Sequence, residues 1–290
     1  MPEPGRQTTL AARTSTLRGS GLQAGEPGSV TLAPGAAGTG FVFRRVDRPG
    51  YDDIPARIEN LRQVPRCTAI GKGPAEVRVV EHVLAACVLA GVDNALIEVE
   101  GPEVPAADGS AALFLEMIQG AGVAVLDAPR IVLEAPAPLE VVGGLGDGWA
   151  FRVEPAAACS YTFRFRGGGA LAGATASFAP GRDDPRLVAP ARTFCFEAEI
   201  AALLAAGLGR GGNIESVLVL SSEGVPVNAM RAPLEPVRHK LLDLIGDLAL
   251  AGLPIRAGIT AEGTGHAAHA EVLHRLLSGL VRKEESTYRD

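Results

Sequence analysis

His239, Asp243 and Asp247 stand four residues apart in the run Arg238-His239-Lys240-Leu241-Leu242-Asp243-Leu244-Ile245-Gly246-Asp247. In a helix all three project from one face. An imidazole and a carboxylate one turn apart can grip a single cation. Zinc takes such nitrogen and oxygen ligands, and a catalytic zinc combines three protein ligands with an open position. The apolar residues around them suit a helix packed into a core, so a buried helix whose His and Asp are satisfied by neighbours fits the same spacing. A third ligand must come from elsewhere.

His82 is one candidate for it. It follows Glu81 where a β-branched run, Val77 to Val80, meets a helix. With His82, His239 and Asp243 around zinc, Glu81 could take a proton from water in the open position. The alternative is that Glu81-His82 is the polar first turn of a helix, where a glutamate favours the helix dipole. His266 lies in the turn Gly263-Thr264-Gly265-His266 and could be a protonated acid, held charged by Asp247. His269 and His274, the other two of five histidines, read as residues of a helix surface. Thr193, in Ala191-Arg192-Thr193-Phe194, could donate to an oxyanion or be an ordinary strand residue.

These residues need elements to position them. Residues 8–48 read as β structure, with strands at 30–32 and 41–43 separated by Pro34-Gly35 and Gly38. A helix over 83–90 stops at Gly91, a strand covers 95–100, and a helix over 111–119 follows Asp108 or Ser110 as its cap. A helix over 236–250 then closes at Leu250-Ala251-Gly252, as the earlier one closes at Leu89-Ala90-Gly91. A strand at 255–260 and a helix over 266–281 come next. Helix, Leu-Ala-Gly stop, strand, glycine turn and helix thus occur twice, which points to two domains on one plan; the alternative is coincidence, since Leu-Ala-Gly recurs easily in a chain rich in Ala and Gly. Residues 126–130 read as a linker; strands at 131–133, 150–153 and 161–165 follow, with glycine loops at 143–148 and 167–169. These glycines lack the nucleotide-binding spacings and read as turns.

The chain has 290 residues, enough for two domains, with 47% hydrophobic residues and a formal charge of -6. Its acidity, with Lys and Arg scattered, argues against a nucleic-acid partner. Four dispersed cysteines, Cys67, Cys87, Cys159 and Cys195, form no disulfide framework or zinc finger. No apolar run reaches signal-peptide or membrane-spanning length. We expect a cytoplasmic monomer that acts on a small molecule, without stable membrane insertion.

Taken in order, Glu81-His82, Asp93-Asn94, Pro102-Glu103-Val104-Pro105, Asp108-Gly109-Ser110-Ala111-Ala112, Ala191-Arg192-Thr193-Phe194, Gly211-Gly212, Val237 to Asp243, Ile245-Gly246-Asp247-Leu248 and Thr264-Gly265-His266-Ala267 resemble the UDP-3-O-acyl-N-acetylglucosamine deacetylases. Gly19 to Leu22 and Thr39 to Arg45 match the opening hairpin of that family, and the resemblance runs from about residue 9 to residue 280. It implies a zinc amidase that makes the committed step of lipid A synthesis. It further implies two α+β domains, 1–127 and 128–290, each a sheet packed on two helices, with the active site in the cleft between them.

By that resemblance His82, His239 and Asp243 bind Zn2+, Glu81 is the general base, and His266 is the cationic acid or oxyanion stabiliser with Asp247 as its partner. Thr193 matches the hydroxyl at the oxyanion. Lys240, Phe194 and Gly212 match the substrate-binding and catalytic surroundings of a UDP-linked acylated amino sugar. Cys67 matches a loop cysteine close to the metal that is not a ligand in the active form. Arg78-Val79, Gln23-Ala24, Gly209-Arg210 and His269 depart from the usual family residues, without removing any assigned to metal or proton transfer. A paralogue that binds the nucleotide sugar without turnover is the alternative, but a binder has no need of a general base.

Overall fold

Short β-branched runs between glycine and proline turns make strands, and longer apolar-periodic stretches make helices, with Pro236 tolerated in the first turn of one of them. The computed structural model describes residues 5–144, 148–166 and 168–285. The first half contains β1 (Arg6–Leu10), β2 (Leu17–Ser20), β3 (Pro27–Pro34), β4 (Phe41–Arg45), β5 (Ile54–Pro55), β6 (Leu61–Arg62), β7 (Ala69–Lys72) and β8 (Ala75–Arg78). It continues with α1 (Glu81–Leu89), β9 (Ala95–Glu100), α2 (Ala112–Ala121) and β10 (Val123–Pro129). The second half contains β11 (Ile131–Glu134), β12 (Leu139–Gly143), β13 (Trp149–Pro155), β14 (Ser160–Arg164), β15 (Thr175–Phe178), β16 (Phe194–Phe196), α3 (Ile200–Ala205) and β17 (Leu218–Leu220). It ends with α4 (Glu235–Leu248), β18 (Ile255–Glu262), α5 (His266–Gly279) and β19 (Val281–Glu284).

The two halves carry one topology. In the first sheet the order is β2-β3-β9-β4-β5, with β9 antiparallel to β3 and parallel to β4. In the second, β12-β13-β18-β14-β15 repeats it, with β18 antiparallel to β13 and parallel to β14. The pairing of β1 with β10 after α2 is matched by β11 with β19 after α5. The expected doubled plan is therefore present, as a two-domain α+β fold. Each copy also carries an insert at the same place, ahead of its first long helix, α1 or α4. One is the small sheet β6-β7-β8; the other is the parallel pair β16-β17 with α3.

Several expected boundaries shift. Residues 126–130 are not an open linker, because β10 runs through Pro129 and is paired with β1. The strand expected through Val80 stops at Arg78, since Val79 takes the left-handed conformation (φ 57°), rare and costly for a β-branched residue, and turns the chain into α1. Leu234, just before α4, has the same φ of 57°. The helices end as expected at left-handed Gly91 and Gly252, with residues 249–251 a tight turn rather than α-helix. The N-cap position of α2 is Ala111 rather than Asp108 or Ser110, although Ser110 Oγ, one residue earlier, accepts from the Ala112 N–H at 3.1 Å and itself donates to Asp108. Residues 145–147 and 167 of the expected glycine loops, and residues 1–4, lie outside the described residues.

The site depends on one helix contact. Nearly the whole circumference of both α1 and α4 is buried, so each is a core helix rather than a surface one. They pack against each other, and α4 also lies on α5, β14 and β15. Gly246 is the point of closest approach: a β-carbon there would stand 2.0 Å from the carbonyl oxygen of Glu81. Glycine lets the backbone bearing Glu81 and His82 come down on the helix face that holds Asp243 and Asp247. We expect Gly246→Ala to push the helices apart, to destabilise the protein by about 1–3 kcal/mol, and to lower its turnover. Thermal unfolding and rate measurements check this; a variant as stable and active as the parent would show the contact to be slack.

Candidate metal centre and proton-transfer site

Because α1 and α4 are buried, their polar side chains must find partners inside the protein. His82, His239 and Asp243 are each under 5% exposed, and their ligand atoms lie within 4.8 Å of one another. Asp243 Oδ1 is 3.3 Å from His239 Nε2 and 3.7 Å from His82 Nε2. Ligands spaced tetrahedrally at ~2.0–2.1 Å from a zinc ion are roughly 3.3–3.4 Å apart. The His239 Nδ1–H donates to the Ala191 carbonyl at 2.9 Å, which leaves Nε2 as a lone pair facing Asp243. Burial, reinforced by His239, pushes His82 down to about 3, and burial also lowers His239. Both rings are thus neutral bases.

Burial opposes ionisation of Asp243, yet His239 and Lys240 hold its carboxyl well below the usual range. One of its oxygens, Oδ2, accepts from Lys240 Nζ at 2.9 Å. The other, Oδ1, is buried without a hydrogen-bond partner among the described residues. An anionic oxygen and two imidazole lone pairs converging on one point repel unless a cation lies between them. This donor set fits a divalent metal.

Asp247, one turn further along α4, belongs to a different network. Its Oδ1 accepts from Thr68 Oγ1 at 2.5 Å, and its Oδ2 accepts from His266 Nδ1 at 2.8 Å and His269 Nδ1 at 2.6 Å. His269 Nε2 meets Thr264 Oγ1 at 2.7 Å. Asp247, His266 and His269 are also close enough to share a metal, but their atoms are already engaged with one another, which makes them the poorer metal site. Burial works against a charged His266, but the Asp247 and Asp243 carboxylates outweigh it and raise the imidazole to about 9. Its free edge, Nε2, is 3.9 Å from both Glu81 Oε1 and Asp243 Oδ2.

Glu81 lies between the two clusters. Its Oε2 accepts from the Thr68 backbone N–H at 3.0 Å. Burial, then the Asp247 and Asp243 charges, push it up to about 8 against the pull of His266. A carboxylate with a raised pKa opposite a histidine with a raised pKa is an acid–base pair with both members near neutrality.

A family model described as UDP-3-O-acyl N-acetylglycosamine deacetylase matches residues 7–278. The chain belongs to this deacetylase family. It is 41% identical to the UDP-3-O-acyl-N-acetylglucosamine deacetylase of Anaeromyxobacter dehalogenans strain 2CP-C, across 94% of this chain and 87% of that protein. Against the protein of the same name from Thermosynechococcus vestitus the identity is 41%, covering 92% of each. The Myxococcus xanthus counterpart is 36% identical over 96% of this chain and 88% of its own length.

Of the residues singled out from sequence, Glu81, His82, Lys240, His239, Asp243, Asp247 and His266 meet in this deacetylase as one group. Phe194 joins them, its ring 6.3 Å from that of His239 and 5.7 Å from Lys240 Nζ. Thr193 precedes β16, half-buried, its backbone N–H donating to Gly109 and its carbonyl accepting from Leu218. Cys67 is buried beside Thr68, and burial, then the Glu81 charge, raises its thiol well above the ordinary value. Gly212 sits apart from this network, in the turn Gly209–Gly212, which bonds back to residues 22 and 23.

His269 corrects the sequence expectation. It is 1% exposed and bonded to Asp247, not on a helix surface; α5 turns this face inward against α4. Thr68 was not legible at all, because it comes from the β6-β8 insert with no spacing to mark it. If Asp247 keeps His266 charged, Asp247→Asn will lower the His266 pKa from about 9, since the imidazolium loses its nearest anion. NMR titration of labelled imidazoles in the chelated protein tests this, and an unmoved His266 titration would assign the raised pKa to another group.

Proposed function

We propose that the protein hydrolyses the N-acetyl group of UDP-3-O-acyl-N-acetylglucosamine to acetate and the free amine, as the committed step of lipid A synthesis in the cytoplasm. The observation that carries the proposal is the buried Asp243 Oδ1, without a partner among the described residues and facing the Nε2 atoms of two neutral histidines, in a chain of this family. His82, His239 and Asp243 would hold the metal, which we take to be zinc. We take 1–127 and 128–290 as the two domains, the first supplying Glu81 and His82, the second Thr193, His239, Asp243 and His266. Zinc bound there supplies a Lewis acid that acidifies water, polarises the acetamide carbonyl and lowers the pKa of the adjacent Glu81.

The remaining work falls to the chain's own groups. Glu81, its Oε2 held by the Thr68 N–H, leaves Oε1 free to take the proton of the attacking water. His266, charged through Asp247, stands opposite with Nε2 free to face the oxyanion and to supply a proton as the amine departs. Thr193 would donate its hydroxyl to the same oxyanion. Lys240, anchored on Asp243 and lying over Phe194, would offer the sugar nucleotide a positive charge beside an aromatic face. Cys67, beside Thr68, and Gly212, from the turn set apart from the polar network, would be the further substrate contacts that the family resemblance implies.

Purified protein should release acetate from the UDP-acyl-sugar and stop when a chelator is added. No release across several acyl lengths at full zinc occupancy would sink the proposal. Replacing His82, His239 or Asp243 by Ala should lower zinc affinity severely, as metal analysis will read, whereas Glu81→Ala should keep its zinc and lose roughly 10²-fold or more in rate.

Turnover should follow a bell-shaped pH profile. It rises as Glu81 loses its proton and falls as His266, raised to about 9, loses its own. Asp247→Asn should bring the alkaline limb to lower pH. A limb that stays in place in both His266→Ala and Asp247→Asn would transfer the acid role to Lys240.

A further inference from the structure

Two consecutive residues ahead of β16 are tied to α4 at points one helical turn apart. Ala191 accepts from His239, as described above. Arg192 meets Glu235, the first residue of α4: its backbone N–H and Nε–H donate to Glu235 Oε1 at 3.0 and 2.8 Å, and Nη2–H to Oε2 at 3.2 Å. Nη2 also donates to the Ala229 carbonyl at 2.6 Å, and Nη1 to the carbonyls of Ile214 at 3.2 Å and Glu215 at 3.5 Å. All five guanidinium protons are thereby used. Oε2 of Glu235 takes a further bond from the Arg231 N–H at 2.7 Å. Glu235 is 0% and Arg192 4% exposed.

A buried ion pair is a poor means of adding stability, because desolvating both charges offsets most of their attraction, and apolar residues of the same volume hold layers together as well. What apolar packing lacks is direction. The planar fork of Arg192 fits one carboxylate in one orientation, and so fixes where residues 191–194 lie along α4. A slip there would carry the Ala191 carbonyl away from His239 Nδ1 and release the ring to turn or change tautomer. Phe194, against the same imidazole, would move with it.

We propose that Arg192 and Glu235 are positioning residues, which lock residues 191–194 in register on α4 so that His239 presents Nε2 beside Asp243 Oδ1. This rests on the proposed ligand set His82, His239 and Asp243. Outer partners of metal-bound histidines typically contribute 10–100-fold in metal affinity, and this pair acts one step further out, through Ala191.

The double variant Arg192→Met/Glu235→Leu removes both charges and leaves neither orphaned. Its zinc affinity by chelator competition, its cobalt-substituted absorption spectrum and its metal-free melting curve are compared with the parent. We expect a cooperative melt, zinc affinity lower by roughly tenfold or more, and a changed cobalt spectrum. Arg192→Lys keeps the charge but not the fork, and should shift affinity and spectrum in the same direction; it carries the comparison if the double variant does not fold. Parent-like affinity and spectrum in a folded variant would overturn the proposal. His239→Ala, measured alongside, separates the two ideas. Zinc affinity retained in His239→Ala defeats the ligand assignment itself, whereas loss there with none in the pair variants defeats only the positioning role.

Discussion

The close approach of α1 to α4 is the constraint on which the rest of the structure depends. The Glu81 carbonyl occupies space that any side chain at position 246 would need. Glu81 and His82 come from one half of the molecule, and His239, Asp243 and Asp247 from the other. Only where the two backbones nearly touch can side chains as short as Asp and His reach across. Both helices are buried almost all round, so the same contact that assembles the polar cluster also removes it from water and sharpens every electrostatic interaction within it.

That burial sorts three carboxylates by how well they are satisfied. Asp247 is saturated by Thr68, His266 and His269, and it stays anionic. Asp243 is held on one oxygen by Lys240 and left unpaired on the other. Glu81 has a single backbone donor on Oε2, and burial raises it to about 8. The three differ in their environments far more than in intrinsic acidity, and this difference is what suits one to holding a proton partner, one to a cation and one to moving a proton.

The doubled topology explains how the remaining parts arrive. Each half inserts extra structure at the same point, ahead of its first long helix, and so at the same end of its sheet. The first insert brings Thr68 to both Glu81 and Asp247. The second carries residues 191–196 alongside α4 and sets Phe194 against His239. Left-handed Val79 and Leu234 turn the chain from these inserts into α1 and α4, two of the four non-glycine residues with positive φ among the described residues.

By itself the sequence determined the helical face bearing His239, Asp243 and Asp247, because a period of four needs no partner to be read. It also determined α1, α2, α4 and α5, the repeated order of elements and, through many motifs in series, the family, but it gave no sign of α3. It misplaced what depends on pairing across the chain. Residues 126–130 read as a linker because Asp127, Pro129 and Arg130 are turn-forming or charged, yet the edge of β1 gives them a strand partner. His269 read as exposed because one helix turn alone does not say which side meets a neighbour, and α4 buries it against Asp247. Thr68 had no spacing to betray it, since its role comes from being 179 residues from Asp247 in the chain and 2.5 Å from it in space. Only the tertiary structure decided the charge states, because desolvation and the nearest opposite charge act through distance and not through order along the chain.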